Sequence, residues 1–186
     1  MTVLQIVKMD IETLTKKSEE WNFESPPMNA SELAHDLVET MYANDGLGIA
    51  AIQVGIPLRV FAMRGHPENF VFFNPRIVMP GTEQVKLDEG CLSFPGLIVE
   101  IKRPRDIKIR AAGPSGEVFT KTLTGMSARV FQHEMDHLDG LLFYNKTNKY
   151  KRTMALKKAD KYIKRNKIQT PKISNIPDLG KSMTVG

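Results

Sequence analysis

Gln132-His133-Glu134-Met135-Asp136-His137 is the stretch on which the reading of this chain turns. Two histidines four residues apart share one face of a helix, so both imidazoles can reach a single tetrahedral cation. Glu134, one residue round from the first histidine, can touch a water beside that cation. The pattern is a hydrolytic metal site with one ligand missing, because catalytic sites of this kind use three protein ligands and keep one position open. H-E-x-x-H also arises by chance, so the third ligand carries weight, and the chain's only cysteine, Cys91, is the leading candidate.

Working outward, the helix is expected from about Met126 to His137, opened by Gly125 and closed near Asp139-Gly140, with Met126, Val130 and Phe131 as apolar positions and its whole length buried. Upstream, 58–63, 70–73, 76–79, 98–102, 106–111 and 117–123 read as strands separated by turn signals such as Asn74-Pro75 and Gly113-Pro114. Residues 1–10 read as a further short strand. Asn29 caps a helix whose stripe of Leu33, Ala34, Leu37, Val38 and Met41 runs to about Ala43. Gly46 to Gly55 reads as a tightly packed turn. His35 and His66 read as surface residues. A helix over about 150–166 carries a narrow stripe of Ala155, Ala159, Tyr162 and Ile163 among lysines. Strands do not alternate regularly with helices, which argues for an α+β fold with antiparallel β-sheets packed around the central H-E-x-x-H helix, flanked by an N-terminal helix and a basic C-terminal helix.

The 186 residues suffice for one well-buried domain. The expected division is a catalytic domain over 1–148, a basic helix over 149–168 and a loosely ordered polar tail over 169–186. No apolar run is long enough to span a membrane, the N-terminus lacks a secretory pattern, and a single cysteine excludes an internal disulfide, so a reducing cytoplasmic setting is expected. Residues 146–186 hold 12 Lys/Arg against 2 Asp/Glu. That asymmetry fits either a solvated helix or a contact with RNA, the ribosome or a membrane surface.

Three blocks stand in order: Gly46-Leu47-Gly48-Ile49-Ala50-Ala51-Ile52-Gln53, Glu89-Gly90-Cys91-Leu92-Ser93, and the opening stretch. Together they resemble the peptide deformylase family, which removes the N-formyl group from the initiator methionine of nascent chains. The resemblance implies a metal held by Cys91, His133 and His137, with Fe²⁺ the usual ion and Zn²⁺, Ni²⁺ or Co²⁺ able to replace it. It implies Glu134 as the general base, and Gln53 and the backbone N–H of Leu92 as oxyanion donors. It implies substrate contacts near Gly46 and Gly48, and a methionine pocket walled by Leu47, Glu89, Met126, Arg129 and Val130, with the head of Arg129 directed to solvent or to Glu89. Bacterial members also use a basic C-terminal helix on the ribosome, which residues 150–166 could supply.

The chain departs from the family's pattern in two places. Gly96-Leu97-Ile98 stands where many bacterial members place an arginine, and Met9-Asp10-Ile11-Glu12-Thr13-Leu14 replaces the early Pro-Asp-x-x-Leu-Arg signature. Three other readings stay open: an H-E-x-x-H metallopeptidase, a non-catalytic metal- or RNA-binding module, and a hydrolase of another small amide. An intact Glu134 speaks against the module, since structural metal binding needs ligands and not a base.

Overall fold

Every strand pairing in the central five-stranded sheet is antiparallel. The computed structural model describes residues 2–171. The sheet is built from β1 (Gly48–Ala50), β2 (Val60–Met63), β3 (Phe70–Pro80), β6 (Asp106–Ala112) and β7 (Val118–Thr124). A separate hairpin pairs β4 (Gln84–Cys91) with β5 (Phe94–Pro104). The helices are α1 (Ile11–Leu14), α2 (Ala30–Ala43), α3 (Gly125–Leu138) and α4 (Lys149–Arg165).

Helix α3 lies on one face of the sheet, where Ala128, Phe131, Met135 and Leu138 pack with Phe61, Phe72, Ile107, Ile109 and Leu123. The Phe131 ring stands edge-on to Phe61 and Phe72, with centroids 5.0 and 5.1 Å away. Helix α2 covers the opposite face through Leu33, Leu37 and Met41 against Val60, Ala62 and Phe73. Since both faces are covered, all four residues of β2 are buried and the strand shows no alternation. Helix α4 and a 3₁₀ turn at Phe143–Lys146 bury the inner side of β5, where Leu97, Val99 and Ile101 meet Phe143, Tyr144, Ala155, Ala159 and Ile163. Asn29 caps α2 as its position suggested, its Oδ1 accepting from the N–H groups of Ser31 and Glu32.

Several expectations need correction. Residues 2–10 form no strand: Val7 N–H donates to Gln53 O and Met9 N–H to Ser93 O, two different elements, so no ladder develops. The strands expected at 70–73 and 76–79 are one, because Asn74 takes φ 48° inside a register shift and spends its side chain on the backbone of Trp21. A turn signal has become a bulge. Strand β4 was not anticipated, since its outward side chains mask the alternation. Gly46 to Gly55 is not a simple turn but β1 followed by one 3₁₀ turn, Ala51–Val54. Helix α3 is not buried throughout: its first turn is open and Met126 is 56% exposed. On α4, Tyr162 is half-exposed and the buried stripe begins instead at Arg152, which donates to Asn145 Oδ1. Pro177 and the rest of the expected tail beyond 171 lie outside the described residues.

Candidate metal centre

Two separate elements deliver the three candidate ligands. Strand β4 ends on Cys91, and α3 presents His133 and His137 one turn apart on its inward face. Their ligand atoms lie within 4.8 Å of one another, and Cys91 Sγ is 3.2 Å from His137 Nε2. Among the described residues this is the one group of three or more His, Cys, Asp or Glu side chains so arranged.

A charged layer fixes the first histidine. Glu89 lies 2.9 Å from His133 Nδ1, which leaves the other ring nitrogen for the centre. Arg103 holds Glu89 with two parallel hydrogen bonds, Nε at 2.7 Å and Nη2 at 2.8 Å, and its Nη1 donates to Asp136 at 2.8 Å. Lys146 pairs with the other oxygen of Asp136 at 2.8 Å. Burial alone would raise the Glu89 carboxyl, but the hydrogen bonds from Arg103 and His133 outweigh it and hold the group well below the usual carboxylate range.

Burial disfavours charge on both imidazoles, and at His137 the charges of His133 and Arg103 add to it, so that this ring is pushed well below its ordinary value. His133 is lifted to about 10, because its hydrogen bonds to Cys91 and Glu89 overcome the burial. A sulfur and two imidazole nitrogens this close together form a donor set that one divalent ion would satisfy. Burial also raises Glu134 to about 7, partly countered by the charge of His133, which places a carboxyl that titrates near neutrality next to the ligands.

A cleft of about 390 Å³ opens onto this centre. Of the residues expected from the sequence, Gly46, Leu47, Gly48, Gln53, Glu89, Cys91, Leu92, Met126, Val130, His133 and Glu134 line it. His137 is not among its lining residues. Arg129 is not on the cleft either: its guanidinium is buried on Glu89 Oε1, Ile101 O and Val85 O, so of the two directions expected for its head the protein uses Glu89, and the stem forms no pocket wall. Gly48 is where the backbone comes closest, since a Cβ there would stand 2.5 Å from Glu134 Oε1 and 2.8 Å from Val130 Cγ1.

The sequence reading missed Arg103, Asp136, Lys146 and Ser93. One signal existed for Arg103. It continues the inward alternation Leu97, Val99, Ile101 of β5, and a cation at an inward position must have an anion waiting.

The family profile described as Polypeptide deformylase matches residues 3–153. A peptide deformylase of Aquifex aeolicus is 42% identical over 141 residues, covering 73% of this chain and 83% of its own length. Among solved structures, the peptide deformylase of Ehrlichia chaffeensis, crystallised in complex with actinonin, superposes with a TM-score of 0.79 at 37% identity, covering 87% of this chain and 98% of that one. A peptide deformylase from Legionella pneumophila gives 0.80 at 32% identity, over 91% of this chain and 100% of that one.

Proposed function

The chain belongs to the polypeptide deformylase family and is an enzyme, and from that premise we propose that it hydrolyses the N-formyl group of N-terminal formylmethionine on nascent polypeptides, releasing formate. The observation that carries this reading is the convergence of Gln53, Cys91, His133 and Glu134 on one cleft. A divalent cation on Cys91, His133 and His137 would supply Lewis-acid activation of water and of the formyl oxygen; we infer Fe²⁺ as the native ion, with Zn²⁺, Ni²⁺ or Co²⁺ admitted by the same donors.

Glu134 accepts a proton from the attacking water as its oxygen bonds to the formyl carbon, and passes that proton to the amine nitrogen as the C–N bond breaks. The side-chain amide of Gln53 and the backbone N–H of Leu92 donate to the oxygen that gains negative charge. Leu47, Met126 and Val130 give the methionine side chain apolar walls, and the substrate backbone runs beside Gly46 and Gly48. A thiolate ligand that must stay reduced suits the cytoplasm, where nascent chains emerge. The exposed Lys157, Lys158 and Lys161 of α4 offer a basic face to the ribosome. A variant truncated before Tyr150 that co-sediments with ribosomes as the full chain does would remove that partner.

Release of free amine from formyl-Met-Ala-Ser and from acetyl-Met-Ala-Ser, measured side by side on protein prepared anaerobically with Fe²⁺ or Ni²⁺, tests the reading. Turnover of the formyl peptide with little on the acetyl peptide is expected. Cleavage of internal peptide bonds, with the formyl group left in place, would instead favour a metallopeptidase.

A further inference from the structure

Ser93 is fully buried in the turn between β4 and β5, two residues past Cys91, and neither holds the metal nor lines the cleft. Its hydroxyl lies 3.1 Å from Gln53 Nε2, while Gln53 Oε1 accepts the backbone N–H of Ala50 at 2.8 Å. A backbone N–H can only donate, so the amide oxygen must face Ala50 and the amide nitrogen the other way. One hydrogen of that nitrogen goes to Ser93. The other points toward Cys91 Sγ, 3.4 Å away on the floor of the cleft. The main chains of both partners are pinned as well, by Val7 N–H on Gln53 O at 2.8 Å and Met9 N–H on Ser93 O at 2.9 Å.

The terminal torsion of a glutamine is broad, so a bond at Oε1 alone does not fix where the N–H points. We propose that Ser93 is the positioning residue that turns the amide of Gln53 so that its second N–H meets the reacting oxygen. The inference rests on the reading of Gln53 as an oxyanion donor. In this arrangement the N-terminal segment, through residues 7 and 9, holds the two halves of the device in register.

The test is a double-mutant cycle on kcat and KM with formyl-Met-Ala-Ser, using Ser93→Ala, Gln53→Ala and both together, with metal content and Tm recorded for each. Ser93→Ala is expected to lower kcat by about 10- to 100-fold with KM unchanged, because a misplaced donor forfeits much of an oxyanion-hole interaction. In the Gln53→Ala background it should cost nothing further, and Ser93→Thr should recover part of the loss. A kcat loss that adds to that of Gln53→Ala, or wild-type kcat in Ser93→Ala while Gln53→Ala is impaired, overturns the assignment. Full activity in Gln53→Ala would remove the oxyanion reading itself, a distinguishable result. Should Ser93→Ala not fold, the near-isosteric Ser93→Cys takes its place in the same cycle. A kcat loss in Ser93→Cys that vanishes in the Gln53→Ala background supports the bond to Ser93, and one that persists there overturns it.

Discussion

Glu89 receives Arg103, Arg129 and His133 on two oxygens, so the placement of each of these partners depends on the others' geometry. Breaking a buried ionic cluster from one side costs about 3–5 kcal/mol, because the remaining charge keeps its desolvation without its partner. Arg103→Met is therefore expected to lower stability by about that amount in urea titrations. It should also weaken metal retention by roughly 10- to 100-fold in chelator competition, since Glu89 no longer fixes the His133 ring. Tyr144 is the opposite case. Its hydroxyl is buried with no hydrogen-bond partner among the described residues, and burial lifts the phenol well above its ordinary value. Above the ordinary tyrosine value and below the raised one, the unfolded chain loses the proton and the folded chain keeps it, so stability falls as pH rises, by up to about 1.4 kcal/mol per pH unit from this group. Tyr144→Phe should leave stability at pH 7 unchanged or slightly raised, and should unfold less readily than wild type at pH 11. A Phe variant that tracks wild type from pH 8 to 11 would show that Tyr144 does not titrate as its burial dictates.

Among the elements, α2, α3 and α4 could be read from the chain to within a residue or so, because each pairs a 3.6-residue apolar stripe with capping or terminating residues. The sheet was less legible. Asn74-Pro75 carries a turn signal that tertiary hydrogen bonds to Trp21 convert into a bulge, and β4, most of whose side chains are exposed, offers no apolar alternation to read. The candidate ligands His133 and His137 and the neighbouring Glu134 stand out because their chemistry needs helical spacing, and Cys91 because it is the chain's only cysteine. The residues behind them do not, because Arg103, Asp136 and Ser93 act only once β5, α3 and the β4–β5 turn have come together. At this scale α4 gives a clear prediction, since only a narrow stripe docks it on β5. Ala159, 1% exposed, sits in the middle of that stripe. Ala159→Asp should destabilise the protein by about 2 kcal/mol or more and raise hydrogen exchange in α4 and β5 selectively, leaving the interior of α3 protected. Uniform exchange across all three would mean that α4 is not a separable layer.

For the whole molecule, the sheet with α2 and α3 forms one packed unit, and the β4–β5 hairpin, held by α4, closes over the end of α3 to bring Cys91 against the histidines. Neither part makes the centre alone. This explains why candidate ligands 42 and 46 residues from Cys91 in sequence come within 4.8 Å of its sulfur and of each other while the cleft stays open beside Gly48. Family membership and this geometry meet in a single claim, that Glu134 moves the proton in a metal-dependent deformylation. The direct measurement is amine release from formyl-Met-Ala-Ser by anaerobic, Fe²⁺- or Ni²⁺-loaded wild type and Glu134→Ala, with bound metal quantified in both. Wild type is expected to turn over, and the variant to keep its metal while losing at least about 10²-fold in kcat. A folded, metal-loaded wild type that releases no amine, or a Glu134→Ala variant with undiminished turnover, would contradict it.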